Sequence, residues 1–440
     1  MNRVFLILTL TFCLSEQKLL NLQAAETAVP SKLTTMRTAL TLAEAKRIAF
    51  ERNWDLLAAK SDVDMATAQK IISREFPNPT LSYSTSKIQT DNHPSHTAAG
   101  NGYWDRSYDT VVAVNQLLEI GGKRAKRQAS ASAGFKSAEA RLADARRLLD
   151  LAVTQNYIAV LLAEANVQIL QQSAKSLRQE AGIAETRLKA GDISLADKSQ
   201  IEIAADRLEL DAQAAEAAAR KARIDLEVLL GTQNPNDAWA PGDNLNSLAL
   251  LPTMASQTAP GAVRPDLRAA EFNLERADAD LRLQKAMRLP DPTVLVQYEH
   301  EPPEQPNTIG LGLAFPLPIW NRNRGAIGVA KAAKDQAALQ ALKIQGQIAG
   351  EIAAARITYE NAAARQRQYT GEIQPKSEQI RKTVSFAYSK GGASLLDLLS
   401  AERNDNDVRL ATAQAIADTA NAAAALKAAL NLSDTALNRP

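Results

Sequence analysis

Thr308-Ile-Gly-Leu-Gly-Leu-Ala-Phe315 decides how the rest of the chain is read. The stretch alternates strictly: Ile309, Leu311, Leu313 and Phe315 fall on one face of an extended strand, and Thr308, Gly310, Gly312 and Ala314 on the other. An oily face opposite a small or polar one, over about ten residues, is the pattern of a tilted strand between lipid and a lumen. Thr293 to His300 places Val294, Val296 and Tyr298 on one face. Thr80 to Ile88 sets Leu81 and Tyr83 against Ser82 and Ser84. Tyr108 to Leu118 sets Val112 and Val114 against Val111, Ala113 and Asn115, a poorer alternation. Any one of these segments is equally readable as part of a soluble sheet; their arrangement along the chain favours the membrane.

The four segments fall as two hairpins at equivalent places in a duplicated chain. Phe76-Pro-Asn-Pro-Thr-Leu81 reappears as Leu289-Pro-Asp-Pro-Thr-Val294, and Gly191-Asp-Ile-Ser-Leu-Ala-Asp197 as Gly391-Gly-Ala-Ser-Leu-Leu-Asp397, an offset of 200 that also matches Glu202 with Glu402. Asn53-Trp-Asp55 and Arg264-Pro-Asp266 open comparable helical stretches. Each half therefore reads helix, strand, strand, long helix, turn, long helix. The expected boundaries are a leader over 1–25, a first repeat over 26–230 with strands near 80–88 and 108–118, a loop-rich linker over 231–265, a second repeat over 266–432 with strands near 293–300 and 308–316, and a tail over 433–440.

The helices are too long for a globular domain. Residues 123–190 contain no Pro, and one helix there extends roughly 100 Å. Return helices are expected over 192–230 and 393–432, and a second long rod over 325–390 with a single breaker at Pro375. Gly191 and Gly391-Gly392 sit where each pair must reverse, and Asp192 and Ser394 suit the N-caps of the return helices. Dense Ala lets the rods approach closely, in coiled-coil fashion.

The N-terminus reads as an export signal: Arg3, then an apolar run from Val4 to Leu14 too short to span a bilayer, then Ala24-Ala25 as a cleavage point. Cys13, the one cysteine, raises a lipoprotein alternative, which Phe12 disfavours by occupying a place that needs a small residue. No later run of 18 apolar residues marks a transmembrane helix. With 51 Lys+Arg against 49 Asp+Glu and only 5% aromatics, the chain lacks the basic excess of a nucleic-acid binder and the bulk of a large compact core. A lone cysteine excludes a disulfide framework.

Four strands cannot close a membrane barrel, because the smallest single-chain barrels use eight and an open edge in lipid leaves backbone groups unpaired. Several copies must share one barrel, and three would supply twelve strands. The duplicated strand-strand-helix-helix plan, the Pro-x-Pro strand entries and the Gly-x-x-Ser-x-x-Asp turns resemble the TolC-like outer-membrane efflux proteins. The strings Gln116-Leu-Leu-Glu-Ile-Gly-Gly-Lys-Arg124 and Phe315-Pro-Leu-Pro-Ile-Trp-Asn-Arg-Asn-Arg-Gly325 resemble the heavy-metal, CzcC-like branch. The resemblance implies a mainly α chain with a membrane β-barrel: a homotrimer with a twelve-stranded barrel in outer-membrane lipid and a periplasmic α-helical coiled-coil tunnel. It further implies a periplasmic adaptor (membrane fusion) protein and an inner-membrane, proton-driven RND-type pump. The expected function is a passive duct for divalent cations such as Co, Zn, Cd or Ni. The alternatives are an outlet for drugs or secreted polypeptides and a pore-less periplasmic coiled-coil protein.

No catalytic constellation, cofactor motif or phosphate loop stands out. His93 and His96, near Asp91 and Asp105, read as a metal site or a polar surface loop. Asp197 and Asp397, at matching places beside the reversals, are expected to form a negative ring at the channel aperture, or else belong to a solvated helix face. Ser400 stands where the resemblance leads one to expect a second Asp. Arg187, Lys189, Tyr388 and Lys390 flank the turns and are expected to hold the aperture shut through bonds to those carboxylates, or to meet the adaptor, or merely to solubilise the tip. Gly191, Ser194, Gly391 and Ser394 are adaptor-contact positions by resemblance, and turn and cap chemistry explains them as well. Lys123-Arg-Ala-Lys-Arg127 is read as a solvated segment below the barrel rather than a nucleic-acid contact, and Trp104 and Trp320 as membrane-interface or packing residues.

Overall fold

The computed structural model describes residues 39–88, 107–249, 263–301 and 305–432. The leader, Cys13, the His93 and His96 loop, Trp104 and the tail lie outside the described residues. The elements run β1 (Ala39–Leu40), α1 (Leu42–Arg52), α2 (Trp54–Arg74), β2 (Thr80–Ile88), β3 (Ser107–Leu117), α3 (Lys123–Ala190) and α4 (Leu195–Leu229). The second half follows with β4 (Ala240–Pro241), α5 (Leu245–Ala249), α6 (Pro265–Ala286), β5 (Thr293–Glu301), β6 (Gln305–Ala314), α7 (Arg324–Gln368), a π-helical turn (Tyr369–Ile373), α8 (Gln374–Ser389) and α9 (Leu395–Ala429).

The 325–390 rod is disturbed at the expected breaker: Pro375 has no N–H to bond the carbonyl of Gly371 and its ring crowds that carbonyl, so the ladder widens into the π turn just before it while the helical backbone continues. A correction concerns the helix starts. The return helices begin at Leu195 and Leu395, later than expected, because Ser194 and Ser394 are the N-caps; Asp192 is not one.

The rods pack through small side chains. Buried Ala133 and Ala140 of α3 lie near Ala269, Ala270 and Ala279 of α6, where Ser137 Oγ donates to the Ala269 carbonyl at 3.0 Å. A larger core surrounds the middle of α3: Val153, Tyr157, Ile158 and Leu161 meet Leu40, Ile48, Leu226, Trp239, Leu245 and Ala417. Tyr157 Oη is pinned between the Leu40 carbonyl at 2.7 Å and Asp243 Oδ2 at 3.0 Å, and burial, then the bond to the Asp243 carboxylate, pushes its pKa up. One 18-residue window of α3 is apolar enough for a membrane helix, with a mean hydropathy of 1.3. Leu149, Val153, Tyr157, Ile158, Val160 and Leu161 of α3 are buried in this protein core, while Leu148 remains exposed.

β2, β3, β5 and β6 form one sheet in that order, antiparallel throughout, so the two hairpins of the duplication join through β3 and β5, while the short β1 and β4 pair in parallel in a separate two-stranded sheet. Among the described residues β2 and β6 are left as edges. The basic run at the start of α3 stitches sheet to rods rather than facing solvent. Lys123 Nζ bonds Asp291 Oδ2 at 2.7 Å and the Leu289 carbonyl at 2.6 Å. Arg124 donates to the Arg74 carbonyl at the end of α2 and stacks on Phe76. Arg127 pairs with Glu119 at 2.6 Å.

Candidate functional site

Two places bear on function: the sheet and the far ends of the rods. Register gathers one face of the sheet from all four strands. Tyr83 pairs with Val112, Val112 with Tyr298 and Tyr298 with Ile309; one step along, Leu81, Val114, Val296 and Leu311 form a second row. The outer members are bare: Ile309, Leu311 and Leu313 are 78, 80 and 65% exposed, and Leu81 is 73% exposed. So large an apolar sheet face cannot be left in water. The opposite face carries Ser82, Ser84, Val111, Ala113, Gln297, Gly310 and Gly312, small or polar for the most part. A Cβ at Gly310 would meet Gln297 Cγ at 2.8 Å, so the Gln side chain lies flat over that glycine. The apolar run continues below β6 through exposed Phe315, Leu317, Ile319 and Trp320.

At the opposite end each rod pair reverses through the same turn. Gly191 and Gly391 have φ of 82° and 78°, left-handed values that other residues rarely adopt. Ser194 and Ser394 then open the return helices with full capping boxes. In the first, Asp197 N donates to Ser194 Oγ at 3.1 Å while Asp197 Oδ2 accepts from Ser194 N at 3.1 Å and Ser194 Oγ at 2.9 Å. In the second the corresponding distances are 3.2, 3.0 and 2.6 Å. The Ser394 bonds hold the Asp397 carboxyl below the usual carboxylate range.

Within a single chain the two aspartates are bonded to their cap serines. Among the described residues no ion pair joins Arg187, Lys189 or Lys390 to Asp197 or Asp397; each carboxylate turns back onto its own helix start. Arg187 instead crosses between the repeats, donating Nη1–H to the Tyr388 carbonyl at 2.9 Å with its guanidinium 5.0 Å from the Tyr388 ring centre. Tyr388 is buried with Ala181, Ala184, Ile201 and Leu398, and burial raises its pKa. Lys189 pairs with Glu185 at 3.0 Å, and Lys390 lies over Phe386.

Behind the turns lies a polar cluster that the sequence reading passed over. Glu180 of α3 and Glu402 and Asp405 of α9 are 8, 5 and 2% exposed. Arg381 of α8 reaches Glu402 at 3.4 Å and Asp405 at 3.1 Å. Ser385 Oγ donates to Glu180 Oε1 at 2.6 Å. The signal was the helical period: Leu398, Glu402 and Asp405 share one stripe of α9, so the acids sit where apolar residues belong. Among the described residues, no group of three or more His, Cys, Asp or Glu is placed to hold a metal ion.

The sequence pattern of the family described as "Outer membrane efflux protein" matches residues 47–232 and 262–432, one match to each half of the duplication. The chain belongs to this family. It is thus an outer-membrane efflux channel with a periplasmic extension, and not an enzyme. Among relatives of this efflux protein, the cobalt-zinc-cadmium resistance protein CzcC of Cupriavidus metallidurans is 27% identical over 368 residues, covering 83% of each chain. The cation efflux system protein CusC of Escherichia coli O157:H7 is 23% identical over 381 residues, covering 81% of this chain and 78% of that one. In fold it is similar to the outer membrane protein VceC of Vibrio cholerae, with a TM-score of 0.71 at 20% identity over 88% of this chain and 95% of that one.

Proposed function

We propose that this efflux protein is the passive outer-membrane duct of a tripartite, proton-driven system that exports divalent heavy-metal cations. The observation that carries the duct is the sheet with one bare apolar face, one small and polar face, and two unpaired edges. Three copies joined edge to edge, β6 to the next β2, give a closed twelve-stranded barrel with every backbone group paired. The rods then continue the barrel as a periplasmic tunnel, ending at the capped turns. The protein does no covalent chemistry; an inner-membrane RND-type pump supplies the energy and a periplasmic adaptor makes the join. The cation class is supported by the likeness to CzcC and CusC. Substrate choice at this chain is limited to charge: Asp197 and Asp397, three of each, form a negative ring that favours cations. Gly191, Ser194, Gly391 and Ser394 present the turns to the adaptor, with Leu195 and Leu396 exposed beside them. Arg187, Tyr388 and Lys390 govern the width of the end through the Arg187–Tyr388 link.

Deletion of the gene tests the cargo: loss of tolerance to Co, Zn, Cd or Ni is expected, whereas sensitivity to organic toxicants alone would favour a drug outlet. Conductance of the purified protein in a planar bilayer tests the duct. Asp397→Ala is expected to raise conductance or weaken block by divalent cations, and Ser394→Ala, which removes the cap but keeps the charge, is not. Unchanged conductance in Asp397→Ala would remove the ring from the account.

A further inference from the structure

Glu180, Glu402 and Asp405 gather three buried carboxyl groups where α3, α8 and α9 meet, and one guanidinium, Arg381, reaches two of them, Glu402 and Asp405. Burying a charge is costly unless it is paired, and one cation cannot pair three anions. The mismatch is visible atom by atom: among the described residues Glu180 Oε2, Asp405 Oδ1 and Oδ1 of neighbouring Asn406 are buried without a hydrogen-bond partner, and so are the donors Arg381 Nε and Tyr388 Oη, which leaves the cluster short of positive charge and imperfectly bonded. The groups facing the cluster from each packed element are Glu180 and Arg187 of α3, Arg381 and Tyr388 of α8, Glu402 and Asp405 of α9 and, towards Tyr388, Asp197 of α4. Arg187 is occupied with Tyr388 and does not supply the missing charge. A proton is the one cation small enough to enter without repacking, and a protonated carboxyl also gains an O–H donor for a neighbouring oxygen.

We propose that this cluster is a proton-linked seam between the two repeats, in which uptake of a proton at Glu402 tightens α3 against the α8–α9 hairpin and biases the periplasmic end towards its closed arrangement. Its bearing on transport rests on the duct reading above; the seam itself does not. Glu402 is the site of uptake because it lies at the looser contact to Arg381, and because burial, with Asp405 and Glu180 beside it, raises its pKa against the pull of the arginine. The repeat partner Glu202 has none of this: it is half-exposed and pairs with Lys198 at 3.2 Å.

Hydrogen exchange of the full-length protein in detergent reads the seam without requiring transport. After correction for intrinsic exchange, amides of α8 and of the first turns of α9 are expected to gain about tenfold protection between about pH 8 and about pH 5, the ratio that about 1.4 kcal/mol of added local stability produces. Glu402→Gln, nearly isosteric with the protonated acid, is expected to be protected at both pH values and to lose the dependence. Glu180→Gln keeps Glu402 but removes a neighbouring charge, so the midpoint moves to lower pH. Exchange that is flat in the native protein, or equally pH-dependent in Glu402→Gln, would overturn the proposal. Conductance measured on the same preparations keeps the two readings apart. With protection rising as expected, conductance that falls with pH in the native protein but not in Glu402→Gln supports the bias, whereas a silent bilayer refutes the duct alone.

Discussion

Glu202 and Glu402 descend from the same position of the duplicated unit, eight residues beyond the same capping serine, yet they live in different media. Glu202 lies in water with Lys198 one turn away, an ordinary surface pair. Glu402 is 5% exposed and shares Arg381 with Asp405. The turns themselves barely differ: both have left-handed glycines and both have the Ser–Asp capping box. Duplication thus kept the chemistry that builds the reversal twice, and changed the chemistry behind it once. What is repeated serves folding, and what is asymmetric sets the second hairpin apart.

The widest gap between the two tips is expected on removing the cation. Arg381→Ala leaves Glu402 and Asp405 buried and unpaired and should cost about 3 kcal/mol, read as a lower midpoint of helical melting in detergent. Lys198→Ala, which removes the cation paired with Glu202, should cost no more than about 0.5 kcal/mol. Equal effects would break the comparison. Next come the glycines, where the comparison predicts sameness: Gly191→Ala and Gly391→Ala force a Cβ into left-handed backbone and should each cost about 1 kcal/mol. The caps follow. Ser194→Ala and Ser394→Ala should each lose about 1 kcal/mol by the same assay, because the boxes match in geometry.

The smallest effect is the most discriminating, since two acids of the second hairpin should respond to pH with opposite sign. The Asp397 pKa is lowered by Ser394, so its contribution is present above the ordinary carboxylate pKa and fades as pH falls through the depressed value. The Glu402 pKa is raised, so the penalty of its charge persists above the raised value and is relieved as pH falls through it. Melting midpoints of Asp397→Asn and Glu402→Gln, taken against pH beside the native protein, should therefore diverge from it in different windows, Glu402→Gln at the higher pH.

The strands were legible because alternation in Thr308 to Phe315 states both faces at once, and the structure pairs Leu311, Val296, Val114 and Leu81 into one row. The reversals were legible from Gly191 and Gly391. Harder to read was the helix start: Asp192 and Ser194 are both good caps, and the Asp197 carboxylate three residues on, the other half of the box, settles the choice for Ser194. The same bond was missed when Asp197 and Asp397 were expected to meet Arg187 or Lys390. The Arg187–Tyr388 link joins residues two hundred positions apart, and no local pattern announces it. Glu402 was seen as a repeat match with Glu202, but whether a helical acid is solvated or buried depends on which helix packs across it.

The account depends most on the two unpaired edges of the sheet, and cross-linking tests them directly. One cysteine in β2, at Leu81 or Tyr83, and one in β6, at Leu311 or Leu313, would be placed in the same chain, and the membrane-inserted protein treated with a short bifunctional reagent. The account predicts bonds between chains, building a ladder that stops at three copies. A bond formed only within one chain, β2 to its own β6, would contradict it.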